Sequence, residues 1–401
     1  MQRFFLIFTA IIFLLEFYVY QALKTLTSNN WIRIGYWVVN LAIYAFVVYE
    51  LLNFRRDSGN HHRVNIIATV FLAFILPKIF IALFLFIEDI TRFVRYLIGY
   101  FSNSEGHLPS RRKFISTLGF GIAGIFSALI LDGVAFGKYR HYIRNVKIKI
   151  PGLPKSFRGY KIAQFSDLHA GSFQDPMKMK HAFDLINEQK PDLILFTGDA
   201  VNNFASELNG FIPLLASLKA TDGKYSVLGN HDYGSYAKWE SEAEHRENVP
   251  NIIRNFAEGG FKMLMNEHVS IEKNGEKFYL IGVENWGLPP FPQYGNIDKA
   301  TNGIPPEATK MLMSHDPTHF DAVVKKHPAN IHLTISGHTH GMQFGLNLKN
   351  IKWSPVQYRY EKWADLYESE GKYLYVNRGF GVIGFPGRVG MHPEITVFEL
   401  S

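Results

Sequence analysis

A chain of 401 residues, 47% hydrophobic, 15% aromatic and 19% charged, has the length of two to three domains and too much apolar content for bulk disorder. The absence of cysteine excludes disulfide scaffolds, thiol nucleophiles, iron–sulfur clusters and cysteine-based zinc sites. The formal net charge of +7 is uneven: residues 1–150 carry 17 Lys and Arg against 7 Asp and Glu, while the remainder is weakly acidic, which argues against a nucleic-acid partner there.

The first third, 1–140, reads as a multi-pass transmembrane region. Four apolar runs, at about 4–20, 34–52, 64–87 and 114–136, are each long enough to cross about 30 Å of hydrocarbon as a helix, making the lipid bilayer the first expected partner. The fourth is rich in Gly and Ala, as closely packed membrane helices often are. Lys78, beside Pro77, is expected to snorkel, to face the bundle interior or to mark a helix break. Basic residues flank both sides: Arg55, Arg56 and Arg63 on one, Arg92, Arg95, Arg111, Arg112 and Lys113 on the other. The run Ser110-Arg-Arg-Lys-Phe-Ile115 is similar to a twin-arginine export signal and equally to a positive-inside flank. Both readings predict a cell (inner) membrane protein whose C-terminal part is extracytoplasmic, although Lys138, Arg140, Arg144, Lys147 and Lys149 favour the opposite sense.

From Val146 to the end the texture changes to short β-rich runs alternating with helical patterns, which predicts an α/β domain over 146–401. Strands are expected at 161–165, 193–197, 225–228, 278–283, 310–314, 331–336 and 373–377. Five of them run straight into a polar cluster: Ser166-Asp-Leu-His169, Gly198-Asp199, Gly229-Asn-His-Asp232, Ser314-His-Asp-Pro317 and Gly337-His-Thr-His-Gly341. Ligand sites of α/β sheets lie beyond the carboxyl ends of strands, so separate clusters can converge on one place. Carboxylates, imidazoles and an amide oxygen, without thiols, suit Mn, Fe or Zn.

This order of motifs resembles the calcineurin-like metallophosphoesterases, and most closely their bacterial membrane-associated branch, over residues 150–401. The resemblance implies a four-layer α/β/β/α sandwich and two divalent metal ions. Asp167, His169 and His340 would hold the first, Asn230, His315 and His338 the second, and Asp199 would bridge them. Two such cations about 3.5–4 Å apart activate a shared water and clamp the phosphoryl oxygens of an in-line displacement. His231 matches the family histidine that contacts a phosphoryl oxygen or protonates the leaving oxygen. One departure is Asn202, where many relatives carry aspartate, so that support of His231 is expected to weaken or to come from Asp232.

Arg378 and Arg388, in a Gly-rich tail, are candidates for binding substrate phosphate, with salt bridging as the alternative. His181, His268, His319, His327, His332 and His392 match no ligand position and are assigned structural or surface roles. The segment 235–254 reads as a surface helix, with a lid or membrane-facing helix as alternatives. The predicted function is a membrane-anchored dinuclear phosphohydrolase cleaving phosphoester or pyrophosphate bonds in a phosphate-containing substrate that is lipid-linked or an envelope precursor. A broad phosphodiesterase or phosphomonoesterase on soluble compounds, and a non-catalytic membrane sensor or binding protein, are the alternatives.

Overall fold

The computed structural model describes residues 2–53, 61–102, 109–348 and 351–401, so Arg55 and Arg56 lie outside the described residues. The chain divides into two compact units, Met1–Val134 and Ala135–Ser401.

The first unit is helical: α1 (Gln2–Leu26), α2 (Asn30–Leu52), α3 (His61–Val70), α4 (Leu76–Ser102) and α5 (Pro109–Ala135). A π-helical turn, Phe71–Ile75, joins α3 to α4, so the two form one apolar stretch of 38 residues, Arg63–Tyr100. With α1, α2 and α5 this gives four helices long and apolar enough to cross a membrane. Asn29 starts α2 by accepting the Trp31 amide at 2.8 Å. Large apolar side chains such as Phe13, Val39, Phe86 and Ile125 are exposed on the unit's outside. A small interior forms from Val19, Ala22, Ile81, Leu85 and Ala123, with the α5 glycine Gly119 lying against Ile81.

The spans are more polar inside than the sequence suggested. Lys78 turns into the bundle, where its ammonium lies 2.5 Å from Glu16 of α1 and also donates to Asn40 of α2. Tyr36 and Tyr44 donate to the same Glu16 carboxylate. A second set joins Arg112 to Asp89 at 2.6 Å and to Glu88 at 3.4 Å, with Tyr18 donating to Asp89. Arg112 is therefore tied into the bundle rather than presented as part of a free basic flank.

The second unit holds two six-stranded sheets. The first contains β1 (Tyr142–Ile148), β2 (Lys161–Phe165), β3 (Leu193–Phe196), β4 (Lys224–Ser226), β5 (Lys262–Met263) and the C-terminal β14 (Glu394–Leu400), in the order β1-β14-β2-β3-β4-β5. The second contains β6 (Glu267–Lys273), β7 (Glu276–Gly282), β8 (Lys310–Met313), β9 (Leu333–Ser336), β12 (Asp365–Ser369) and β13 (Lys372–Val376), in the order β12-β13-β9-β8-β7-β6. Between β9 and β12 lies the hairpin of β10 (Leu346–Leu348) and β11 (Ile351–Trp353).

Side-chain alternation sets the layers. Ile162, Leu193 and Leu195 of the first sheet pack with Leu280, Met311, Leu333 and Tyr375 of the second, so the sheets face each other across one core. Ala163, Phe165, Ile194 and Phe196 point the opposite way, against Phe183 of α6 (Lys180–Glu188), Leu215 of α7 (Ile212–Ser217) and Phe256 of α8 (Glu242–Glu258). Ile281, Leu312 and Leu374 pack outward on Ala300 of α9 (Ile297–Thr301) and Phe320 of α10 (Thr318–Ala322). The result is a four-layer α/β/β/α sandwich. Within the segment 235–254, Ser241 caps α8 by accepting the Glu244 amide, and the polar outer face of that helix makes it a surface helix on the first sheet.

The central strands β2, β3 and β4 run parallel, as do β8, β9 and β13. Their carboxyl ends release the loops carrying residues 166–169, 197–199, 229–232, 314–316, 337–340 and 377–379.

Candidate metal centre

The loops after β2 and β9 bring Asp167, His169 and His340 together, and those after β3, β8 and β9 bring Asp199, His315 and His338 together. Within each group the donor atoms lie within 4.8 Å of one another. The two groups adjoin. Asp199 Oδ2 is 3.1 Å from His315 Nε2 and 3.6 Å from His169 Nε2, and so faces both. Asp167 Oδ1 is 3.4 Å from His340 Nε2 and 4.0 Å from His315 Nε2.

These positions are built against local preference. Asp167, His169, Asp199, His338 and His340 all have positive φ, between 47° and 74°, where non-glycine residues are strained. Cross-loop bonds hold them there: Asp167 N–H donates to Gly198 O, His169 N–H to Asp199 O, and His338 N–H to both oxygens of Asp167 at 2.9 and 3.1 Å. Two glycines permit the close approach. A Cβ on Gly198 (φ 96°) would lie 2.6 Å from Gly229 N, and one on Gly337 would lie 2.0 Å from Ser166 Oγ.

The donor set fits divalent cations. Burial drives His169 down to about 3 and pushes His338 and His340 below the ordinary imidazole value, so all three are neutral near pH 7. Yet His169 Nε2 and His340 Nε2 face each other at 3.0 Å. Buried Asn230 uses its amide N–H on Tyr236 OH, while its Oδ1 has no hydrogen-bond partner. A cation accepts from all of these lone pairs at once. Burial pulls His315 down, but the Asp199 and Asp167 carboxylates outweigh it and hold His315 at about 10; Asp167 is pushed up to about 7, first by burial and then by Asp199. Crowded carboxylates thus raise both groups, and strongly perturbed values of this kind are common at functional sites.

His231 sits beside this cluster, half-buried, with its ring 4.9 Å from that of His169. Its N–H donates to Asp199 Oδ1 at 2.9 Å, and its Nδ1 lies 2.9 Å from Asn202 O. The support expected from a carboxylate at 202 comes instead from that residue's backbone carbonyl. Asp232 does not provide it either. Its carboxylate is fully buried and accepts the amides of Asp199 (2.9 Å), Ala200 (2.8 Å), Val201 (3.2 Å) and Gly229 (2.8 Å), clasping the β3 and β4 loops together. Burial, and then the charge of Asp199, push Asp232 up to about 7.

The two arginine assignments are corrected. Arg378 is fully buried and pairs with Glu394 at 2.5 Å and Asp365 at 2.7 Å. Arg388, also buried, donates to the carbonyls of Gly381 (2.6 and 2.9 Å) and Arg378 (2.8 Å). Both guanidiniums are enclosed in protein contacts that brace the loops behind the site, where a substrate phosphate has no access. Among the other histidines, His319 is buried and bonded to Ser314, and burial lowers it to about 4; His268 bonds Ala300 O and His327 bonds Asp298.

The structure adds residues that the motifs do not reveal. Tyr360 OH lies 2.8 Å from His338 Nε2, and Asp316 Oδ2, buried without another hydrogen-bond partner, lies 3.4 Å from the same nitrogen. With Nδ1 facing His315, these two groups hold the His338 ring from behind. Tyr236, half-exposed, packs its ring 4.6 Å from His231. The exposed aromatic beside the exposed edge of the site is visible only once loop 229–236 is folded.

Comparison with known proteins agrees with this architecture. Residues 2–138 match the family model described as "Probable Calcineurin-like phosphoesterase, transmembrane domain", and residues 160–342 match "Calcineurin-like phosphoesterase". An uncharacterized metallophosphoesterase of Bacillus subtilis, YkuE, is 31% identical over 73% of this chain and 98% of its own length. The Escherichia coli phosphodiesterase YaeI is 26% identical over 73% of this chain and 99% of its own. A zebrafish (Danio rerio) transmembrane protein with a metallophosphoesterase domain is 28% identical over 69% of this chain, and the match spans 61% of that protein. With its metal-ligand clusters at the strand ends and its four apolar helices, the chain belongs to the calcineurin-like metallophosphoesterases that carry an N-terminal four-helix transmembrane domain.

Proposed function

We propose that this metallophosphoesterase works with two divalent cations and cleaves a phosphodiester or pyrophosphate bond in a lipid-linked or envelope-precursor substrate, on the extracytoplasmic side of the cell membrane. The observation that carries the dinuclear reading is Asp199, whose Oδ2 faces both ligand groups, 3.1 Å from His315 and 3.6 Å from His169. Asp167, His169 and His340 would hold one cation; Asn230, His315 and His338 the other. When bound, the pair supplies Lewis acidity for attack on phosphorus.

The protein's own part is positioning and proton transfer. Donation from the His231 Nδ1–H to Asn202 O orients the ring, and with the ring protonated as imidazolium its Nε2–H would donate to a phosphoryl oxygen or pass its proton to the leaving oxygen. Asp232 fixes the distance between the Asp199 and Asn230 loops. Tethering to a bilayer raises the local concentration of lipid-linked substrates, which supports that substrate class. Arg111 and Lys113 at the start of α5 support the outward orientation.

The test is hydrolysis by the full-length protein of a chromogenic phosphodiester and of a lipid-linked pyrophosphate, with Mn²⁺, beside Asp199→Ala, Asn230→Ala and His231→Ala. Metal-dependent turnover that favours the lipid-linked compound and is lost in all three variants is expected. Metal binding without hydrolysis of diesters, monoesters or pyrophosphates would overturn the reading. Reporter fusions after residue 145 test orientation, and a signal confined to the cytoplasm would refute the outward placement.

A further inference from the structure

Three features of the helical unit coincide. A cavity of about 470 Å³ opens between α1, α2 and the π-helical turn, lined by Ile12, Phe13, Leu41, Val48, Phe71 and Ile75 among others. The π-turn itself supplies Phe71 and Ile75, and such turns within α-helices concentrate at functional sites. Three residues further on, Lys78 binds Glu16 and Asn40, which reach the cavity wall.

The ion pair explains why the cavity is preformed. Charges inside a membrane span are costly unless paired. Here Lys78, Tyr36 and Tyr44 all donate to Glu16, and Asn40 accepts from Lys78 while donating to Tyr36 O. This network pins the irregular α3–α4 connection to α1 and α2. It also consumes the polar atoms among themselves, so the wall facing the cavity is almost entirely carbon.

Hydrocarbon matches such a space. Apolar cavities of about 150 Å³ exclude water and take up hydrophobic guests, and this one is about three times larger. Its lining residues lie within segments long and apolar enough to span the bilayer, where the surrounding solvent is hydrocarbon. We infer that the helical unit binds one hydrocarbon chain of a membrane lipid, acyl or polyisoprenoid, in the cavity between α1, α2 and the π-helical turn. The inference deepens, and in its functional meaning rests on, the lipid-linked reading of the substrate.

The experiment uses the full-length protein in nanodiscs containing phosphatidylglycerol with a diazirine in one acyl chain, followed by photolysis and mapping of the labelled peptides. Label is expected to concentrate on cavity residues such as Ile12 and Ile75. Ile12→Trp and Val48→Trp, which fill the cavity from two sides, are each expected to cut that labelling at least tenfold. Phe86→Trp, on the exposed outer face, should leave it unchanged. Unlabelled polyprenyl phosphate and unlabelled phospholipid as competitors distinguish the two chain types. Label spread evenly over the exposed helix faces, and equal in wild type and filled variants, would overturn the inference. Labelling is read without turnover, so it separates from the substrate reading: cavity labelling in an enzyme that cleaves only soluble diesters would refute the lipid-linked substrate and retain the chain site.

Discussion

Replacing Asp232 by asparagine tests how the site is held. Its two oxygens accept four buried amides, Ala200 and Val201 on Oδ1 and Asp199 and Gly229 on Oδ2. In Asp232→Asn one oxygen survives for two of them, while the new NH₂ group confronts the other two donors. At about 1–3 kcal/mol for each lost bond, the two amides cost about 2–6 kcal/mol. For a domain of this size that corresponds to a fall in melting temperature of about 4–24 °C. Whichever oxygen is replaced, the amides left unbonded adjoin the ligands, Ala200 and Val201 following Asp199 or Asp199 itself and Gly229 preceding Asn230, so metal affinity should fall together with stability. Thermal unfolding of the full-length protein in detergent, with metal content measured on the same samples, reads both. A variant that melts within about 2 °C of wild type and keeps its metals would refute the clasp.

Three further outcomes follow from particular contacts. Arg378→Met leaves Glu394 buried without its guanidinium and should cost about 3–5 kcal/mol in denaturant unfolding, while inhibition by inorganic phosphate stays at the wild-type concentration; weakened phosphate inhibition would restore a substrate role. Tyr360→Phe removes the hydroxyl 2.8 Å from His338 Nε2, and metal titration should show one of two affinities weakened about 10- to 100-fold. In metal-free protein His315 is held at about 10, above its unfolded value near 6.5, so its stabilisation is complete below pH 6.5 and is lost as pH rises through about 10; Asp167 and Asp232, raised to about 7, act in the same sense up to that point. Unfolding of chelator-treated protein should therefore show stability falling from pH 6.5 to 10, and saturating metal should abolish the slope.

The sequence was most informative where chemistry is local. The strand-end clusters around Asp167, Asp199, Asn230, His315 and His338 are short motifs, and β2, β3, β8 and β9, which lead into four of them, are short, largely apolar runs buried on both faces. Among the strands that escaped the apolar-run reading, β1, β5, β6 and β12 are the four sheet edges, whose partly exposed residues dilute the pattern, β10 and β11 form a separate exposed hairpin, and β14 is a buried interior strand whose apolar run is flanked by Glu394 and interrupted by Glu399. Long-range partners were equally hidden. Nothing near Arg378 announces Glu394, nothing near Lys78 announces Glu16, and the Asn202 carbonyl that supports His231 is the same in every residue type. A guanidinium in a glycine-rich tail looks like a phosphate ligand until the fold closes over it.

The central claim is that one site assembled from five strand ends holds two cations through a shared Asp199. Counting metal by mass spectrometry of the purified full-length protein, with and without Asp199→Ala, tests it most directly. The account predicts two divalent ions per chain in wild type and in His231→Ala, and fewer, with hydrolysis lost, in Asp199→Ala. One ion or none in a fully active wild type, or two ions retained without Asp199, would contradict it.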